Sequence, residues 1–492
     1  MTDLTWLSTR ELADLLARGE VSSREATEAH YARIEQVDPT INAIVTTDPE
    51  RALAEAAAKD EALVAARAEG REVPALHGVP MTHKDTHDTA GMRTTWGSPV
   101  FADRVPTEDD PLVARLRAAG VVTTGKSNVP EFAAGAHTFN PVFGTTVNPY
   151  DPTKSVAGSS GGVGAALAAG IQASGDGSDM GGSLRTPASF NNVVGMRPSN
   201  GRIPHLPPGN AWQWLAQQGF MARTVGDVAL LMSQTCGPQP DGPCSIQEPG
   251  SVFDLPEFRL GADYQPDLTG VRVGLGPDLG GLLEVEAEVV AAAFEAARVV
   301  GELGAVVDES VPDLREAGEV FRVQRAYDFV SAWGDLVRSE TARPDGGRIK
   351  QAVVWNTQMG FELTVDDLAA HDARRTRLWQ ETRRWFDTHD VLLTVTAQAL
   401  PFDAELEFPQ SINGRPMTNY LEWMKAVCLI SATGCPAISV PAGFSSTGLP
   451  IGIQLVAAPG KDVELLRVAH AFEAATRHAD RHPDEATFAA RA

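Results

Sequence analysis

Cysteine is nearly absent: four residues in 492, at Cys236, Cys244, Cys428 and Cys435. None forms a C-x-x-C pair and no histidine cluster lies beside them, so neither a zinc site nor a disulfide framework is read. Buried thiols in a reducing, cytoplasmic setting are the expectation. Positive charge is also short. Against 64 Asp and Glu stand 41 Lys and Arg, a formal charge of −23. Such a surface repels phosphate backbones and anionic lipid, which argues against nucleic-acid and membrane partners. Long apolar runs are missing too: stretches such as GAALAAG over 164–170 are too short to span a bilayer. The opening MTDLTWLSTRELADLL has no basic region followed by an apolar run, so no secretory signal is expected.

What is present is an alternation of elements. Ser8-x-x-Glu11 and Ser22-x-x-Glu25 have the form of capping boxes, the second opening a helix expected to stop near Asp38-Pro39. Residues 50–70 read as a long solvated helix. From about 76 to 202 the chain is dense in Gly, Ser, Thr and Asn. Strand-like runs (Val121–Thr124, Val193–Met196) alternate there with helix-like ones (Leu112–Ala119, Gly162–Ala169). Further strands are expected at Val271–Leu275, Val391–Val395, Ala437–Val440 and Gly452–Val456, with helices at Val285–Leu303, over 310–388 and at Val463–Ala475. Residues 236–260, rich in Pro and Gly, read as a surface excursion. The pattern predicts an α/β fold, a large mixed β-sheet core covered by helices. With no long linker, it is expected as one domain over 1–492. Its parts are a core at about 76–202, a helical insertion at about 236–425 and a closing sheet and helix at about 426–475.

Two motif matches mislead. Gly120-Val-Val-Thr-Thr-Gly125-Lys126-Ser127 fits the P-loop pattern, but a helix precedes it, its middle residues are strand formers and Pro130 follows. A helix–turn–strand ending in a Gly-Lys-Ser turn is the better reading. Gly158-Ser159-Ser160-Gly161-Gly162 fits G-x-S-x-G, the nucleophile elbow. A histidine-dependent esterase around Ser160 would then need His371, His389 or His470, none of which sits in a recognisable turn.

Three segments carry the chemistry. Leu76-His-Gly-Val-Pro-Met-Thr-His-Lys84-Asp85 brings a lysine up through apolar residues. Burial pushes such an amine towards its neutral, basic form, whereas an ordinary surface lysine stays charged. Val156-Ala-Gly-Ser159-Ser160-Gly-Gly places hydroxyls at a helix start, where a simple cap is the ordinary role. In Asp176-Gly-Ser-Asp179-Met180-Gly181-Gly182-Ser183-Leu-Arg185, the glycines let backbone N–H groups converge into an oxyanion hole beside a serine.

Together these segments resemble the amidase signature family of serine hydrolases. Lys84 matches the family lysine, Ser159 the bridging serine that follows a cis peptide bond, and Ser183 the nucleophile, 24 residues on. The resemblance assigns the oxyanion hole to Met180, Gly181, Gly182 and Ser183, and supporting positions to Ser160, Asp179 and Arg185. Gly125-Lys-Ser-Asn-Val-Pro-Glu-Phe, Gln218-Gly-Phe-Met-Ala-Arg and Gly434-Cys-Pro-Ala-Ile-Ser-Val-Pro-Ala-Gly extend it along the chain. Three departures concern this pocket: His83 stands where an aliphatic residue is usual, the stretch Gly175-Asp176-Gly-Ser-Asp-Met-Gly-Gly182 where an apolar run usually leads to the motif, and Asn191-Asn192 where a smaller or apolar pair is common.

The resemblance implies hydrolysis of an amide, anilide or carbamate (urethane), with esters as side substrates, and no cofactor or metal. The expected partner is a small molecule, and the expected state a monomer or homodimer. Ala133, Ala134, Thr138 and Phe139 are expected to shape the pocket, with room for an aryl group. Trp212, Trp214, Trp355 and Trp423 could shape it or simply pack in the core. The alternatives are the glutaminase-type subunit of a tRNA-dependent amidotransferase, in which Gln often stands at the place of Thr186, and a non-catalytic binding protein.

Overall fold

The computed structural model describes residues 4–207, 209–345 and 347–489. Its centre is an eight-stranded sheet. In spatial order the strands are Val306–Glu309, Arg272–Leu275, Val391–Val395, Pro450–Ala457, Ala437–Phe444, Val194–Arg197, Gln217–Ala222 and Ser174–Asp179. The first three run parallel and the remaining pairings are antiparallel, so the sheet is mixed. The runs rich in β-branched residues occupy its middle, where Val391–Val395 is buried along its whole length. Helices Val225–Thr235, Ala287–Glu302 and Asp462–Thr476 pack on one another and on the sheet. The α/β architecture expected from the alternation of elements is the one observed.

A smaller sheet orders Ile44–Thr47, Val122–Ser127 and Pro80–Lys84. Here the structure corrects the Gly-Lys-Ser turn: Gly125, Lys126 and Ser127 are strand residues paired on both sides. Lys126 is fully buried and donates to the His87 carbonyl (2.5 Å) and the Thr89 hydroxyl (2.8 Å), so it is not free to hold a nucleotide phosphate.

Both capping boxes form. The second helix runs on through Pro39 to Ile41, past its expected end. The Asp38 carboxylate accepts from the N–H groups of Ala43 and Ile44 and closes the helix end. The 236–260 excursion is less superficial than expected, since Phe253 and Phe258 are buried in the main core. Over the C-terminal end of strand Ser174–Asp179 lies a helical layer. Helix Ala317–Thr341 packs there on Gln351–Phe361, Val365–Trp385 and Lys425–Thr433. No described helix is long and apolar enough to cross a membrane.

Candidate active site

Strand Pro80–Lys84 delivers Lys84 into the interior, where its side chain is fully buried. The amine lies 2.8 Å from Ser159 Oγ, 2.9 Å from Ser160 Oγ and 2.9 Å from Ser178 Oγ. Burial lowers its pKa to about 7, and the Asp179 and Asp176 carboxylates limit that fall. Near neutrality the amine is therefore partly uncharged, and a neutral amine accepts a proton. Ser178 was not singled out in the sequence. It reaches the amine because the segment Ser-Gly-Asp-Gly-Ser-Asp is a strand, Ser174–Asp179, paired with Gln217–Ala222.

Ser159 follows a cis peptide bond from Gly158 and precedes helix Gly161–Ala168. Close approach dictates this turn: a Cβ on Gly161 would lie 2.2 Å from Thr138 Oγ1, and one on Gly162 2.3 Å from the Asn128 nitrogen. Ser160 N–H donates to the Ser183 carbonyl (3.1 Å), joining the turn to the loop that carries Ser183. Among the described residues the Ser183 hydroxyl makes no hydrogen bond. It opens with Ser159 and Ser178 onto one cavity of about 360 Å³.

The loop before Ser183 is shaped by Asp179. Its carboxylate accepts from Gly182 N–H (2.8 Å), Leu184 N–H (3.2 Å) and two nitrogens of Arg185 (2.9 and 3.0 Å). Burial pushes this carboxyl up, but Arg185, Arg197 and the Gly182 N–H outweigh it and hold it well below the usual carboxylate range. Arg185 then reaches Ser431 Oγ (2.7 Å) and Gln454 Oε1 (2.9 Å), fixing the loop to the helical layer and the central sheet. The Gly182 N–H, expected in the oxyanion hole, is thus spent on Asp179. The N–H groups of Met180, Gly181 and Ser183 have no acceptor among the described residues, and all three residues line the cavity. The part of Gly182 is conformational: φ is +98°, and a Cβ would lie 2.3 Å from Val427.

The departures at 83 and 176 meet each other. One oxygen of Asp176 accepts from His83 Nδ1 (2.5 Å) and the other from His87 Nδ1 (2.8 Å) and the Lys84 backbone N–H (2.8 Å). Burial raises the Asp176 carboxyl, and the two histidines more than reverse this, holding it far below its usual range. A buried polar cluster replaces apolar packing directly behind the lysine.

Of the pocket residues expected from sequence, Ala133 lines the cavity and Ala134, Thr138 and Phe139 do not. Thr138 instead donates to the Ala157 carbonyl (2.8 Å), bracing the turn before Ser159, and Phe139 lies under the Lys350 ammonium. Trp423 is core, Trp214 stacks under Arg375, Trp355 packs near Tyr420 and Trp212 is exposed. The aromatic wall comes from elsewhere. Trp333 meets Phe132 and Trp96 with ring centroids at 4.8 and 5.2 Å, and Phe321 and Phe329 extend the wall. Phe132 and Ala133 both have φ of +54°, a strained conformation held by the Phe132 N–H bond to the Trp96 carbonyl. The histidines proposed for an elbow lie elsewhere: His371 is bonded to Gln324, His389 stacks on Trp385 and His470 contacts Glu473.

A family model described as Amidase matches residues 25–466. The acylamidase of Rhodococcus erythropolis is 34% identical over 484 residues, covering 98% of each chain. A glutamyl-tRNA(Gln) amidotransferase subunit of Moorella thermoacetica is 36% identical over 505 residues, covering 98% of this chain and 99% of its own. A crystal structure of a bacterial aryl acylamidase of the amidase signature family superposes with a TM-score of 0.88 at 27% identity, covering 97% of this chain and 99% of the other. That of 6-aminohexanoate cyclic dimer hydrolase does so with 0.84 at 28%, covering 99% and 100%. The chain belongs to the amidase family, with the amidase signature fold, and is an amidohydrolase.

Proposed function

We propose that the protein hydrolyses non-peptide amides, anilides or carbamates through a Ser183 acyl-enzyme, with Lys84 and Ser159 as the proton relay. The observation that carries this reading is the fully buried Lys84 amine, 2.8 Å from Ser159 Oγ and with its pKa brought to about 7 by burial. Neutral Lys84 takes the Ser159 proton while Ser159 takes that of Ser183, and Ser183 Oγ attacks the carbonyl carbon. The uncommitted N–H groups of Met180, Gly181 and Ser183 hold the oxyanion. The C–N bond breaks as the proton returns along the relay to the leaving nitrogen. Water then cleaves the ester by the same relay. The aromatic wall of Trp96, Phe132 and Trp333 favours an aryl or bulky acyl arm, in keeping with the acylamidase relatives.

Ser183→Ala should lose both anilide hydrolysis and labelling by a fluorophosphonate. Labelling that persists in this variant overturns the assignment of the nucleophile. Because the base must be uncharged, kcat/KM should rise through a pH of about 7 to an alkaline plateau. A profile falling over that range in a folded enzyme removes Lys84 as the base.

The second reading, a glutaminase-type amidotransferase subunit, rests on the 36% identity to the Moorella protein. Glutamine turnover exceeding that of aryl amides, or appearing only with a bound partner, would favour it.

A further inference from the structure

The polar part of the cavity lining carries a pattern that the proton relay does not use. Four buried side chains there, Thr86, His87, Gln213 and Gln218, each hold an atom without a hydrogen-bond partner among the described residues: Oγ1, Nε2, Oε1 and Oε1 respectively. In three of them the donor end is already committed. Gln218 Nε2 donates to both oxygens of Asp110 at 3.1 Å, Gln213 Nε2 to Asp328 at 3.3 Å, and His87 Nδ1 to Asp176 at 2.8 Å. Each amide therefore has a free oxygen for a ligand donor, while its –NH2 group is held by a carboxylate. The Thr86 hydroxyl can accept as well.

Charge on the same lining has one prevailing sign. Asp88 and Asp109 are paired with Arg104 and Arg117. Asp110 and Glu108 have no Lys or Arg partner among the described residues. Among the described residues the Asp110 carboxylate accepts only from N–H groups of Leu112 and Gln218. Arg325, the one Lys or Arg on the described lining, is turned to Asn356, Tyr420 and Met180. Buried acceptors without donors are costly, and a ligand rich in N–H groups removes that cost.

We propose that this part of the cavity binds a primary ammonium carried by the substrate, separated by an alkyl chain from the scissile carbonyl. The inference deepens the amidohydrolase reading and rests on it for the scissile bond. Its substrate class is an amide bearing a free amino group on either its acyl or its amine side, the apolar remainder lying against the aromatic wall.

Isosteric pairs test it: the para-nitroanilides of aminopentanoic and hexanoic acid, and the benzoyl monoamides of diaminopentane and hexylamine. In at least one pair the ammonium compound should be preferred about ten- to a hundredfold in kcat/KM. The preference should shrink with added salt and fall towards unity in the double variant Glu108→Gln, Asp110→Asn, in which Asn still caps the following helix. Equal rates within both pairs, or a preference untouched by the double variant, overturn the proposal. Titration of the same compounds into Ser183→Ala by calorimetry separates the two readings. Ammonium-selective binding without turnover by the wild-type enzyme supports this inference and defeats the hydrolytic one. Unselective binding defeats this one whatever the turnover.

Discussion

The floor of the cavity and its aromatic wall are built on different physics. The floor, from Lys84 to Arg185, is a set of directional bonds among buried hydroxyls, carboxylates and backbone N–H groups. The wall, from Trp96, Phe132 and helix Ala317–Thr341, is a set of ring contacts that fix shape and little else. Directional chemistry tolerates few residue types at few spacings, whereas a wall can be assembled from any large apolar side chain. On the proposed reading the reaction is written in the floor and the choice of substrate in the wall.

Perturbing each part separately is the way to break this contrast. The largest effect should come from the floor. Gly182→Ala places a methyl group 2.3 Å from Val427 and strains a φ of +98°, displacing the loop over residues 180–183. We expect kcat to drop by about a hundredfold or more with KM little changed. Aryl-substrate KM rising instead would mean that the loop shapes the pocket. Next is the wall. Trp333→Ala should raise KM for aryl anilides by about tenfold and leave small aliphatic amides almost untouched, while Trp212→Ala, at an exposed site, should change neither. Equal losses on both substrate classes in Trp333→Ala would erase the division. The subtlest test is Asp176→Asn. The Asp176 charge raises the Lys84 pKa, so its removal should move the acid limb of the kcat/KM profile to lower pH. An unmoved limb would confine Asp176 to holding the Lys84 backbone and the two histidines.

The same contrast explains what could be read from the chain itself. Strand Val391–Val395 was legible to the residue because it is an unbroken β-branched and apolar run buried throughout. Lys84, Ser159 and Ser183 were singled out by their order and spacing together with the resemblance to the amidase signature family, and the structure joins Lys84 to Ser159 and opens both serines onto one cavity. Strand Ser174–Asp179 was not legible, since Ser-Gly-Asp-Gly-Ser-Asp contains no strand former. Its extended form is imposed by pairing with Gln217–Ala222 and by Gly177, where a Cβ would lie 2.6 Å from Leu184. With that strand went Ser178, the third hydroxyl on the lysine. Ala134, Thr138 and Phe139 were expected at the pocket from the family resemblance and do not line the cavity, since the segment turns through left-handed conformations at Phe132 and Ala133. Trp96 and Trp333 carried no local signal, as their meeting depends on elements more than two hundred residues apart.

The fastening of Arg185 bears on how the enzyme comes into being. Its guanidinium is held by Ser431 and Gln454, which leave the ribosome some two hundred and fifty residues after Ser183. A nascent chain that already contains Lys84, Ser159 and Ser183 still lacks the clasp that orients their loop. Catalytic competence should consequently appear late and abruptly during synthesis, and a chain released early should be a harmless bystander rather than a stray hydrolase.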